Sequence, residues 1–156
     1  MAREISILLF VADTELQVRL MNGLSNRYQF ECVPDTKESL KMAFLSVPDF
    51  VIIQGNLVPD NAIEISKSLK SNQLTSHIPL ILILNAVPFP IDASLSFVDI
   101  ILPISFTKRE LVLSLQQVIS LKIRLMKRYP IFYKSDNAFA REHDFLNNYI
   151  KGLQQE

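Results

Sequence analysis

Glycine is scarce. The 156 residues contain three, Gly23, Gly55 and Gly152, which nearly excludes the glycine-rich cradles that hold dinucleotides or nucleoside triphosphates. Tryptophan is absent, and Cys32 is the single cysteine. An internal disulfide framework is therefore excluded, and the composition fits a reducing cytoplasm. Charge of neither sign is in excess, with 16 basic residues against 16 acidic ones. No global field argues for nucleic acid or for an acidic membrane surface. Long apolar runs are missing too: none approaches the length of a membrane span. The opening MAREISILLFV has too little positive charge and too short an apolar stretch for a signal peptide. A cytoplasmic location without membrane contact is expected. What the chain has is apolar residues, 49% of the total, enough for a core in one compact domain with an appendage.

ISILLFV (5–11), DFVIIQ (49–54), IPLILILN (78–85) and SFVDIIL (96–102) are short apolar runs bounded by turn residues. The first and third are continuous rather than alternating, as in strands buried on both faces of a parallel sheet. QFECV (29–33) is shorter, alternates, and makes the second strand of five. Helical periodicity separates the strands. After Asp13 as N-cap come Leu16, Leu20 and Leu24. Asp35 and Glu38 form a capping-box pattern ahead of Leu40, Phe44 and Val47. Ile63, Ile65 and Leu69 make a third inward stripe. Thr107 and Glu110 form a second capping box that opens a long helix over 107–129. Strands alternating with helices on short connections predict a doubly wound α/β fold with right-handed crossovers. Pro88 and Pro90 predict that the fourth helix is short or missing. An amphipathic helix is expected from about 142, with Phe145, Tyr149 and either Leu146 or Leu153 on one side. The resulting division is a domain over 1–129 and a linker with a helical appendage over 130–156.

In such sheets ligands sit at the carboxyl ends of the central strands. Here those ends are Val11-Ala12-Asp13, Gln54 and Leu84-Asn85, with Ile104 just after the fifth strand. Three stretches, ISILLFVADTELQVRL, PDFVIIQGNLVPD and FVDIILPISFTKRELVLSLQQVI, together with TSHIP before the fourth strand, resemble the receiver domain of two-component response regulators over residues 5 to 124. The resemblance implies a flavodoxin-like (βα)5 fold with strand order 2-1-3-4-5. It also implies a site: two acids after the first strand holding Mg²⁺, an aspartate ending the third strand as phosphoacceptor, a hydroxyl ending the fourth, and a lysine after the fifth. Aligned without gaps, the acids fall on Val11 and Ala12, the phosphoacceptor on Gln54, the hydroxyl on Leu84 and the lysine on Ile104. A glutamine amide is a poor nucleophile, and Val11 and Ala12 offer a hard cation no side-chain oxygen. The reading is a degenerate pseudo-receiver that binds no metal and no cofactor and is not an enzyme. Asp13 in an acid position, or Asn56 and Asp60 in the loop after Gln54, are alternatives; capping and turn roles outweigh them. A different alternative is a small-molecule sensor, with Val11, Leu84 and Ile104 lining a pocket and Gln54 as its polar anchor.

Other chemistry-bearing residues suit bland roles. His77 and His143 read as surface histidines without ligand-spaced partners. Cys32 reads as a small buried hydrophobe. Ser25, Ser66 and Ser94 lack a nucleophile-elbow context. Lys122, Arg124, Lys127, Arg128 and Lys134 read as a solvated helix end.

The long helix carries two apolar stripes. Leu111, Leu115, Val118 and Leu125 should pack on the sheet. Val112, Ile119, Ile123 and Met126 form a second, seam-like row. A helix with two apolar faces needs two partners: either the tail folds back over the second row, or the row is a dimer interface. The tail is similar to the segment joining a receiver to an AraC-type helix-turn-helix domain in hybrid two-component regulators of Bacteroidetes-like bacteria. No recognition helix is present, so specific DNA binding by this chain alone is not expected. The expected partners are a second copy, or a signalling or output domain.

Overall fold

The computed structural model describes residues 5–11, 13–24, 28–32, 41, 48–54, 59–71, 78–84, 98–128 and 138–154; within these, the side chains of 59–64, 125–128, 138–140 and 153–154 are outside the description. In chain order the elements are β1 (Ile5–Phe10), α1 (Thr14–Leu24), β2 (Tyr28–Cys32), β3 (Phe50–Gln54), α2 (Pro59–Ser71), β4 (Leu80–Leu84), β5 (Ile100–Pro103), α3 (Lys108–Arg128) and α4 (Ala138–Gln154). Apart from Lys41, which is helical, the helix expected over 35–47 lies outside the described residues, as do the prolines of 86–95, Ala12, Asn56 and His77.

The strands form one five-stranded parallel sheet in the order β2-β1-β3-β4-β5, the flavodoxin-like order that the resemblance implies. Its pattern of burial explains the pattern of sequence. β3 is buried throughout and β1 and β4 nearly so, which is why these runs are continuously apolar. β2 and β5 are edges and keep partly exposed positions. Cys32 ends the β2 edge and is exposed, which corrects its reading as a buried hydrophobe. Packing around its sulfur still pushes the thiol up, away from reactivity, through loss of solvation.

By compactness the chain divides into Ser6–Phe106 and a second unit of Met1–Ile5 with Thr107–Glu156. In the first unit, register aligns Leu8 with Val51, Phe10 with Ile53, Val51 with Leu80 and Ile53 with Leu82. These alternate residues share one sheet face, and Ile65 and Leu69 of α2 pack against them with Ile78. Each fully buried aliphatic side chain contributes about 1.5–3 kcal/mol. Two aspartates tie strand starts to their neighbours. Asp49 Oδ2 accepts from the Ser6 amide at 2.9 Å, and the Asp49 amide donates to the Ser6 carbonyl at 2.9 Å. Asp99 Oδ2 accepts from the Leu80 amide at 2.8 Å and from Lys70 Nζ at 3.0 Å.

In the second unit α4 lies against α3. Lys108 Nζ sits 5.3 Å from the Tyr149 ring centroid, and Gln116 Nε2 donates to Asn147 Oδ1. Lys108, Val112, Gln116 and Ile119 share one helical face; the tail therefore folds back over the second apolar row. Val112 and Ile119 are buried, as are Leu146 and Ile150 of α4. The buried face of α4 is thus Glu142, Leu146 and Ile150, a correction to the expected side: Phe145 is 44% exposed and stacks on a half-buried Tyr149. Lys122 is also buried, not part of a solvated end. It stands four residues after Val118, on the stripe of Leu111 and Leu115.

Candidate functional site

The carboxyl ends of β1 and β3 meet through neutral groups. Asp13 is the N-cap of α1: its Oδ1 accepts from the Glu15 amide at 2.9 Å and the Leu16 amide at 3.4 Å. This is the capping role predicted, and it satisfies donors that the first turn leaves without partners. Gln54, the last residue of β3, is 6% exposed. Its Oε1 accepts from the Asp13 backbone amide at 3.3 Å. From α1, Gln17 Nε2 donates to the Val11 carbonyl. Two side-chain amides therefore lace the β1–α1 turn, one accepting and one donating. Val11 is fully buried and brings no side-chain oxygen.

At the other side of the ridge, Leu84 and Ile104 are half-buried, and the Ile104 amide donates to the Leu84 carbonyl at 2.7 Å. The Phe106 amide donates to the Pro103 carbonyl at 3.0 Å, closing a turn after β5. Arg19 of α1 reaches this turn: Nη1 donates to the Ile104 carbonyl at 2.9 Å and Nη2 to the Phe106 carbonyl at 3.1 Å. Its guanidinium carbon also lies 4.5 Å from the Phe106 ring centroid. The sequence reading passed over Arg19. Its position between Val18 and Leu20 in an amphipathic helix marks it only as outward-facing, and its partners lie 85 and 87 residues away.

Of the five aligned positions, the structure brings Val11 and Gln54 to one turn and joins Leu84 to Ile104 by a backbone bond. Ala12 lies outside the described residues. Asp60 stands in the first turn of α2 rather than in a loop, which corrects its placement. Among the described residues no group of three or more His, Cys, Asp or Glu side chains could hold a metal ion. A Mg²⁺ ion does not fit the donors present: the Asp13 carboxylate is turned onto its own helix, and Val11 and Gln54 supply no anionic oxygen. Among the described residues the strand ends Val11, Gln54, Leu84 and Ile104 carry uncharged side chains, and none of these is an activated nucleophile.

Of the row on α3, Val112 and Ile119 are buried, Ile123 is half-buried, and the Met126 side chain is outside the description. No helix among the described residues is long and apolar enough to cross a membrane.

No family model and no curated protein matches the chain. Solved structures do. The chemotaxis protein CheY4 of Vibrio cholerae matches with a TM-score of 0.67 at 17% identity, over 74% of this chain and 99% of that one. The signal receiver domain of an HD domain-containing protein from Pseudomonas fluorescens matches with 0.68 at 19%, over 78% and 99%. The receiver domain of a sensor histidine kinase from Pseudomonas aeruginosa, which has a magnesium ion coordinated in its active site cleft, matches with 0.66 at 17%, over 76% and 99%. The doubly wound sheet with its carboxyl-end ridge thus defines a flavodoxin-like fold. Within that class, the fold is that of CheY-like response-regulator receiver domains.

Proposed function

We propose that this chain is a pseudo-receiver of bacterial two-component signalling or transcription control, one that takes no phosphoryl group and acts through protein contacts. The observation that carries the reading is Gln54. It occupies the end of the central strand where the family resemblance puts the phosphoacceptor, and its amide oxygen is already engaged by the Asp13 amide. The Pseudomonas aeruginosa neighbour coordinates magnesium in its cleft; the donors here do not suit that ion. Among the described residues the aligned lysine position is Ile104, and the guanidinium nearest it, Arg19, is engaged with the Ile104 and Phe106 carbonyls, which leaves the charge of a phosphoryl group without the family's lysine to offset it. The role is therefore contact rather than catalysis, with a surface whose form does not wait on phosphorylation.

The test is the intact mass of the protein after incubation with acetyl phosphate and Mg²⁺. An unchanged mass is expected; gain of one phosphoryl group overturns the reading. The proposed self-association surface is the row Val112, Ile119, Ile123 and Met126, and its use requires α4 to move aside. Light scattering on the wild type and on Ile150→Asp checks this. The variant, with α4 weakened, should show the higher apparent mass, and equal masses remove the row from consideration.

A further inference from the structure

We propose that Arg19 is a built-in lock that holds the turn after β5 in one conformation without any ligand. The turn Pro103–Phe106 is where the chain leaves the sheet for α3. Its backbone is held from several directions. The Ile104 peptide donates its N–H to Leu84 and has its carbonyl taken by Arg19 Nη1. The Phe106 residue donates its N–H to Pro103 and has its carbonyl taken by Arg19 Nη2. The same guanidinium lies over the buried Phe106 ring at 4.5 Å. One side chain therefore makes two backbone bonds and one ring contact with a turn more than eighty residues away.

The chemistry is particular to arginine. Its planar fork presents two donors at a fixed spacing, and its weakly hydrated face suits an aromatic ring. A lysine could meet one carbonyl but could not span both. Without the guanidinium both carbonyls lose these donors, and a surface turn can then choose among several conformations. The positive charge on Arg19 is spent on neutral acceptors within the chain. The lock asks for no metal, no phosphoryl group and no partner, and it stands whether or not the ridge accepts phosphate.

Amide hydrogen exchange followed by NMR on the full chain tests it, with the amides of Leu9 and Ile52 as reference positions in the sheet. In Arg19→Ala, exchange at Ile104 and Phe106 should quicken about tenfold or more, and by several-fold more than at Leu9 and Ile52. Arg19→Lys should recover only part of the protection. Unchanged exchange at Ile104 and Phe106, or a uniform quickening across the sheet, overturns the proposal. If the alanine variant does not fold, the wild type decides. Separate, slowly exchanging Nη hydrogens for Arg19 at low temperature support the lock, and a single averaged signal overturns it.

Discussion

A glutamine at the end of β3 differs from an aspartate by one methylene and by the absence of charge. Both differences count here. The longer side chain reaches the Asp13 amide, and its neutrality lets it remain buried. Gln54→Asp shortens the reach and sets a carboxylate in an enclosed place. The variant should take up no phosphoryl group from acetyl phosphate and Mg²⁺, as read by intact mass. It should also lose about 1–3 kcal/mol of stability in urea titration, the usual cost of a buried polar group that loses its partner. At the exposed end of β2, the Cys32 thiol is held up by partial loss of solvation. Its rate of reaction with a disulfide reagent should therefore rise with pH at values above those for a free cysteine. That Gln54 and Leu84 end their strands, and that Val11 and Ile104 follow theirs, could be read from the sequence. The engagement of Gln54 with Asp13 could not, because a hydrogen bond to a backbone amide leaves no residue type as its sign.

Strand entrances and helix caps decide where elements begin. Asp49 and Asp99 stand at the starts of β3 and β5 and each accept from the adjoining strand, Ser6 and Leu80 respectively. The Asp99 carboxylate adds a partly exposed ion pair with Lys70, which on its own is worth little. The Leu80 amide is the costly partner to lose, so Asp99→Ala should lower stability by about 1–3 kcal/mol, seen as a lower urea midpoint at unchanged slope. At the start of α3 the Glu110 amide donates to Thr107 Oγ1 at 3.1 Å, and the Thr107 hydroxyl meets Glu110 Oε1. This is the capping pair predicted from the sequence. Thr107→Ala should cost about 0.5–2 kcal/mol in the same titration. Elements with a clear period were legible: β1, β3 and β4 as continuous apolar runs, α1 from Leu16, Leu20 and Leu24. The buried side of α4 was not. Glu142 occupies a place on it that a polarity-based reading gives to solvent, and the ring of Phe145 draws attention to the outer side.

For the molecule as a whole, the order of the strands was legible because alternation of strands and helices leaves few topologies open. The proposed function rests chiefly on subtraction, on the receiver-site residue types that the aligned positions lack. Long-range polar contacts were illegible, and the Arg19 fork, with partners 85 and 87 residues away, is an example. That separation has a consequence for how the protein comes into being. α1 leaves the ribosome long before residues 104–106, and drawing the two together closes a loop of more than eighty residues, an entropic cost met only when the strands between are in place. Such a contact should form late, after the barrier to folding. Arg19→Ala should accordingly leave the refolding rate within about twofold while unfolding quickens, as stopped-flow mixing would record. The arginine then governs how long the folded chain lasts, and hardly how quickly it is made.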